Sequence, residues 1–279
     1  MATSEAALSR QIRTQEPVVR QRRFQGVDLS FVVGVVIALG ATIAGICATH
    51  VGLNYFLQPT GAVIVLGGTL GVILITTPRH SLAHSARRIM NLFKADEVDR
   101  DALIEEIISL ARIARRGGII ALDSSISKTT NPFLRDALQL AVDGQNREEL
   151  QAVLETQLRL NERHGDSDAK ALEVAGGFAP TIGIIGTVVG LIEVLRQFSN
   201  LQAVGSGIGT AFVSTIYGLA LANLLLLPAA HRIRARVAEN FETQELIIEG
   251  LLSIIDCLHP SLIRIRLSSF VRRPKPIAA

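Results

Sequence analysis

Cysteine is nearly absent from this chain: Cys47 and Cys257 are the only two among 279 residues. Cys47 stands in an apolar run and Cys257 in an amphipathic one, which predicts two buried thiols rather than a disulfide framework. Motifs of the nucleophile-elbow, Walker and zincin types are all missing, so the sequence does not read as an enzyme and calls for no cofactor. His80 and His84 lie one helical turn apart, but two ligands alone make a poor metal site. A solvated helix face accounts for them better. Aromatic residues make up 4% of the chain and no basic stripe interleaves with them. With a formal net charge of only +3 spread over several segments, nucleic acid is not an expected partner.

What the chain has in quantity is apolar sequence. It is 48% hydrophobic and 19% charged, with a mean hydropathy of +0.37. That is too apolar for an ordinary soluble protein and too charged to lie wholly in lipid. The organising stretch runs over residues 176–228, reading GGFAPTIGIIGTVVGLIEVL, a short polar turn, then GIGTAFVSTIYGLALANLLLLP. Each run is long enough to cross a bilayer, and only about ten residues join them, so they should form an antiparallel transmembrane hairpin. Glycines let helix backbones approach closely, and hydroxyls inside lipid need a partner or a water. The hairpin therefore looks built to pack against other helices and to line a polar path.

Two further apolar runs precede it. Residues 29–49 are too long for the core of a secretory signal and lack a convincing cleavage site, so they read as a first, uncleaved span. Asp28 is placed to cap it. Residues 57–77 form a second span, where Gly67 and Gly71 offer a small-residue face for close packing, and Pro78 and Arg79 mark its exit. Positive charge is concentrated in the amino-terminal arm, in residues 79–94 and at Arg232, Arg234 and Arg236. By the positive-inside rule both termini and the central segment are cytoplasmic.

The fold expected is an all-α integral membrane protein of four transmembrane helices, with a helical cytoplasmic domain inserted between the second and third. Its divisions are an arm (1–27), spans one and two (28–78), a cytoplasmic domain (79–171), the hairpin of spans three and four (172–230) and a cytoplasmic helix and tail (231–279). In the central domain, residues 98–116 make an amphipathic helix through Leu103, Ile107, Leu110, Ala111 and Ala114, ended by Gly117-Gly118. Asn131-Pro132 caps and opens a helix running to Val142. Residues 147–163 form another helix, leading into the third span, and no strand pattern appears. After the fourth span, residues 231–258 read as a long helix with Val237, Phe241, Leu246, Ile248, Leu251 and Ile255 among its apolar positions. The tail beyond it is basic, contains prolines and is expected to end loosely.

An ionisable residue inside the membrane is the usual mark of an ion path. The deep parts of all four spans contain none; Glu193 and Arg196 lie near the outer end of the third. The hairpin offers Thr181, Thr187, Thr210, Ser214, Thr215 and Tyr217 instead. Hydroxyls can hold water or coordinate sodium but do not titrate near neutral pH. If protons move here, another chain must supply the carboxylate. Bonding back to helix carbonyls is the ordinary use of any single such hydroxyl.

The segments FAPTIGIIGTVVGLI and STIYGLALANLLLLP, with the preceding IARRGGIIALD, resemble the MotA/PomA family of bacterial flagellar-motor stator subunits, within the wider MotA/TolQ/ExbB superfamily. The likeness covers residues 27–270, and its order of spans is that of the stator branch. It implies a homopentamer in the bacterial inner membrane around a MotB/PomB-type single-span partner whose aspartate binds the ion. Proton or sodium flow then drives torque on the rotor protein FliG. Pro180 and Pro228 match prolines that couple conformation, Thr187 and Thr215 match hydroxyl positions beside the ion path (where Ser214 also falls), and Arg115, Arg116 and Asp123 match charges facing the rotor. A TolQ/ExbB-like energiser of an envelope or gliding machine is the alternative. Two departures stand out: a longer amino-terminal arm, and His259-Pro260-Ser261 where family members often show Asn-Pro-Arg.

Overall fold

The structure, a computed structural model, describes residues 24–27, 29–48, 52–77, 94–144 and 146–271. In chain order the elements are β1 (Phe24–Val27), α1 (Leu29–Ala48), α2 (Pro59–Thr76), β2 (Lys94–Glu97), α3 (Arg100–Gly117), α4 (Asp123–Ile126), α5 (Pro132–Val142), α6 (Arg147–Arg196), α7 (Leu201–Ile255) and α8 (Pro260–Leu267). The protein is dominated by helices, and four of them are long and apolar enough to cross a membrane. Contrary to the expectation of no strands, β1 and β2 pair as a two-stranded sheet. Neither four-residue segment carries a β-rich pattern, because the pairing is a backbone contact between segments distant in sequence. Asp28, His80 and His84 lie outside the described residues.

The described residues fall into two compact units, one from Glu97–Gln157 with residues 242–271 and the other from those within 25–96 with Leu158–Phe241. The first has a helical core. Leu103 and Ile107 of α3, Leu134 and Leu138 of α5, Leu150 and Leu154 of α6 and Leu246, Ile247 and Leu251 of α7 are all fully buried there. Local signals start and stop these helices as the sequence suggests. Asp99 accepts from Ala102 N at the start of α3, Gly118 leaves its end at φ 74°, and Asn131 Oδ1 accepts from Leu134 N ahead of Pro132. Gly250 lets α7 approach α3, since a Cβ there would stand 2.8 Å from Ile107 Cγ2. Ion pairs rim this core: Arg100–Glu242 and Arg266–Glu249 at 2.8 Å, and Arg147–Asp256 at 2.7 Å.

The first part of the tail is helical, and the end that was expected to be loose lies outside the described residues. α8 forms behind an His259 cap, whose Nδ1 accepts from Ser261 N at 3.3 Å, and it buries Ile263 and Leu267. The expectation of two buried thiols fails, since both cysteines are exposed and unpaired. Cys257 follows the end of α7 at φ 55°, off the apolar face that periodicity had assigned to it. Cys47 sits on α1, most of whose positions are exposed.

α6 and α7 are each longer than a span. α6 is one helix of 50 residues, so the segment at 147–163 and the third span are continuous. Only residues 197–200 separate α6 from α7, a tighter turn than the ten residues expected. Asn200 makes this possible by accepting from Gln202 N and Ala203 N at the start of α7.

Candidate functional site: the α6–α7 membrane hairpin

The hairpin closes on glycine. A Cβ at Gly183 would lie 3.0 Å from the Ser214 carbonyl, at Gly190 2.7 Å from Ala211 N, and at Gly218 2.6 Å from the Ala179 carbonyl. All three obstacles are backbone atoms, so α6 and α7 touch main chain to main chain. α2 joins them through Gly61 and Gly68, where an added Cβ would meet Ser214 Oγ at 2.6 Å and Ile182 Cγ2 at 2.8 Å. The face expected for this purpose, Gly67 with Gly71, meets nothing within the chain. The helix turns between these positions through a π-helical segment, Val63–Gly67, which shifts the register on which that expectation rested.

This packing separates the predicted hydroxyls into three groups. Thr187 and Thr215 come together, their Oγ1 atoms 2.6 Å apart and both side chains half-buried. Thr187 Oγ1 also lies 3.1 Å from the Ala211 carbonyl and 3.2 Å from that of Gly183. A hydroxyl has one proton and two lone pairs. If Thr215 donates to Thr187, the Thr187 proton serves a carbonyl and the Thr215 lone pairs stay open. In the opposite sense, the Thr215 proton stays open. Either way the pair presents at least one unspent polar function to whatever passes.

Ser214 is elsewhere. It is fully buried in the seam between α2 and α6, donating to the Thr210 carbonyl at 2.7 Å, and Gly61 and Gly186 make room for its Oγ. Thr210 and Tyr217 form the third group on the face toward α2. Thr210 donates to Gln58 Oε1 at 3.2 Å, Tyr217 Oη accepts from Gln58 N at 3.3 Å and donates to the Phe56 carbonyl. Thr181 is exposed and bonds back to the Phe178 carbonyl at 2.7 Å.

The two prolines are in adjacent turns. Pro180 withholds a donor from the carbonyl of Gly176, four residues earlier, and Gly176 is where Leu227, the neighbour of Pro228, packs: a Cβ there would stand 2.7 Å from Leu227 Cδ2. Before Pro228, α7 opens into a π-helical turn over Leu221–Leu226. Sequence reading foresaw a loosened helix here but missed Asn223, which sits in this turn, exposed, donating to the Leu219 carbonyl at 3.0 Å. An amide within a run of leucines was the signal that could have found it.

In the other unit Arg115, Arg116 and Asp123 are all exposed, the arginines before and the aspartate after the turn at Gly118 between α3 and α4. Among the described residues no group of three or more His, Cys, Asp or Glu side chains could hold a metal.

The chain is similar to proteins of known family. The model of the MotA/TolQ/ExbB proton channel family matches residues 125–245, and that of the Motility protein A N-terminal region matches residues 32–118. Motility protein A of Bacillus subtilis is 29% identical over 248 residues, covering 88% of this chain and 91% of that protein. Chemotaxis protein PomA of Vibrio alginolyticus is 29% identical over 226 residues, covering 80% and 87%. Among solved structures, C. jejuni MotAB superposes with a TM-score of 0.84 at 28% identity, over 90% of this chain and 99% of that one.

Proposed function

Since the chain belongs to the MotA/TolQ/ExbB proton channel family, we propose that it is a stator subunit of the bacterial flagellar motor, converting ion flow into torque on a rotor. The observation that carries this reading is the Thr187–Thr215 pair, 2.6 Å apart inside a helix hairpin that has no carboxylate of its own over residues 174–192 or 197–238. The match to the Motility protein A N-terminal region favours a stator over a TolQ/ExbB-like energiser.

In this reading the four apolar helices span the inner membrane, with both termini and the first compact unit in the cytoplasm, where basic residues concentrate. Five copies surround a MotB/PomB-type single-span partner, whose carboxylate supplies the titrating group absent here. Thr187 and Thr215 face the ion path, and their open lone pair or proton serves the ion or its water. Ser214 stands behind them and sets the spacing of α2, α6 and α7. The paired turns at Pro180 and Pro228 pass the ion's effect along α6 and α7. Arg115, Arg116 and Asp123 meet the rotor protein FliG. The coupling ion is a proton or sodium, and motility speed measured against sodium concentration at fixed pH distinguishes them.

Replacing Thr187 with Asp or Lys in a strain carrying only this stator tests the reading. Swimming should cease while membrane insertion persists, because a fixed charge beside the path competes with the partner's carboxylate. Normal motility in both variants would refute it.

A further inference from the structure

We infer that Asn223 forms a second polar station on the ion path, on the cytoplasmic side of Thr187–Thr215, where it binds the hydrated coupling cation through two oxygens: its side-chain Oδ1 and its own main-chain carbonyl. This rests on the proposed stator function and extends it.

The main-chain oxygen is freed by the local hydrogen-bond register. At the end of the π-helical turn, Leu227 N–H donates to the carbonyl of Ala222, five residues back. The α-helical donor for the Asn223 carbonyl would be that same Leu227, already committed. The π-helical donor would be Pro228, which has no N–H. The turn and the proline together therefore leave the Asn223 carbonyl without a backbone partner. Unwound carbonyls of this kind are tolerated at membrane depth where they line a cavity, and they are natural cation ligands.

The side chain adds a second acceptor. A primary amide carries two N–H donors and an oxygen with two lone pairs; among the described residues, one N–H is used, toward Leu219 O. Exposed to hydrocarbon, the remainder would cost several kcal/mol. On the ion path it would find water and the cation instead. Ser214 marks the face of α7 covered by α2, and Asn223, nine residues later, is turned away from that face and exposed. Ile208, Phe212, Ile216 and Leu219 are also exposed on α7, and Thr215 is half-buried. Asn223 lies roughly 12 Å along the helix from Thr215, so a cation leaving the threonine pair toward the cytoplasm meets it next.

The test uses the full chain with its single-span partner in membranes, with Cys47 and Cys257 changed to Ala. Asn223→Cys and, as a lipid-facing control, Leu70→Cys are treated with 2-aminoethyl methanethiosulfonate, itself a small cation. Cys at 223 should react on the order of ten times faster than at 70, since only a wetted thiol ionises readily; equal or slower reaction overturns the proposal. In parallel, Asn223→Ala should raise the ion concentration for half-maximal swimming speed by about fivefold, the worth of one ligand, while Asn223→Gln stays close to the parent. An Ala variant indistinguishable from the parent also overturns it. Failure of the parent chain to support motility with its partner would remove the stator reading instead, leaving the thiol comparison to decide whether this face is wet.

Discussion

Leu227 packs its side chain where a Cβ on Gly176 would stand, 2.7 Å from the Leu227 Cδ2 position. The residue whose carbonyl Pro180 deprives of a donor therefore packs against Leu226 and Leu227, at the end of the turn before Pro228. Two loosened turns that touch can move together, whereas two kinks facing away could not be coupled by packing.

Filling that contact should uncouple them. Gly176→Val forces Leu227 and the π-helical turn outward, at an overpacking cost of about 1–3 kcal/mol. We expect the variant to insert into membranes and to drive swimming at markedly lower torque, read from the speed of tethered cells under increasing load. Torque equal to the parent's at every load would show that the contact is passive.

Tyr217 ties the segment before α2 to α7 by donating to the Phe56 carbonyl and accepting from Gln58 N. Tyr217→Phe keeps the ring and strands both groups, which should cost about 1–3 kcal/mol. Thermal unfolding of the purified assembly should show a lowered midpoint. Thr210→Val, which removes the bond to Gln58 Oε1 from the same cluster, should add less than its separate effect when combined with it.

Arg115 and Asp123 have no ion-pair partner among the described residues, so reversing either charge should leave folding intact. Arg115→Glu or Asp123→Lys should each reduce torque if they meet complementary rotor charges, and the double reversal should recover part of it. Unchanged swimming in both single variants would detach these residues from the rotor.

Acid should act on two neighbouring glutamates in opposite senses. The Arg264 guanidinium, bonding Glu105 Oε2 at 2.7 Å, holds the Glu105 carboxyl below its ordinary value of 4.5. Its contribution is present above pH 4.5 and is lost as pH falls through the lowered value. Burial raises the Glu106 carboxyl above 4.5, against a hydrogen bond from Thr129. Its charged form is thus a cost at neutral pH, relieved as pH falls through the raised value. Glu105→Gln should flatten the loss of thermal stability below pH 4.5, and Glu106→Gln should raise stability at pH 7. Melting curves over that range decide both.

How much of this was legible beforehand depends on how local each signal is. Gly118 and Asn131-Pro132 act within one turn, and the helix ends they predict are where the structure has them. Leu103, Ile107 and Leu110 announce a buried face by spacing alone. Cys257 was misplaced because periodicity assumes the helix continues, and here it had already ended. Gly61 and Gly68 pack where Gly67 and Gly71 were expected to, for a related reason: a π-helical turn rotates everything after it, and no residue type in Val63–Gly67 declares one.

The sequence by itself determined that four apolar runs exist, that glycine and hydroxyl residues gather in the last two, and that no acid lies in their deep parts. These follow from composition and period, which are properties of the chain. Only the tertiary structure decided that Thr187 meets Thr215 while Ser214 turns away into a seam, that the turns of Pro180 and Pro228 touch, and that the Asn223 carbonyl is left without a donor. Each of those depends on the relative rotation and register of helices, which fractions of a turn change and no local pattern specifies.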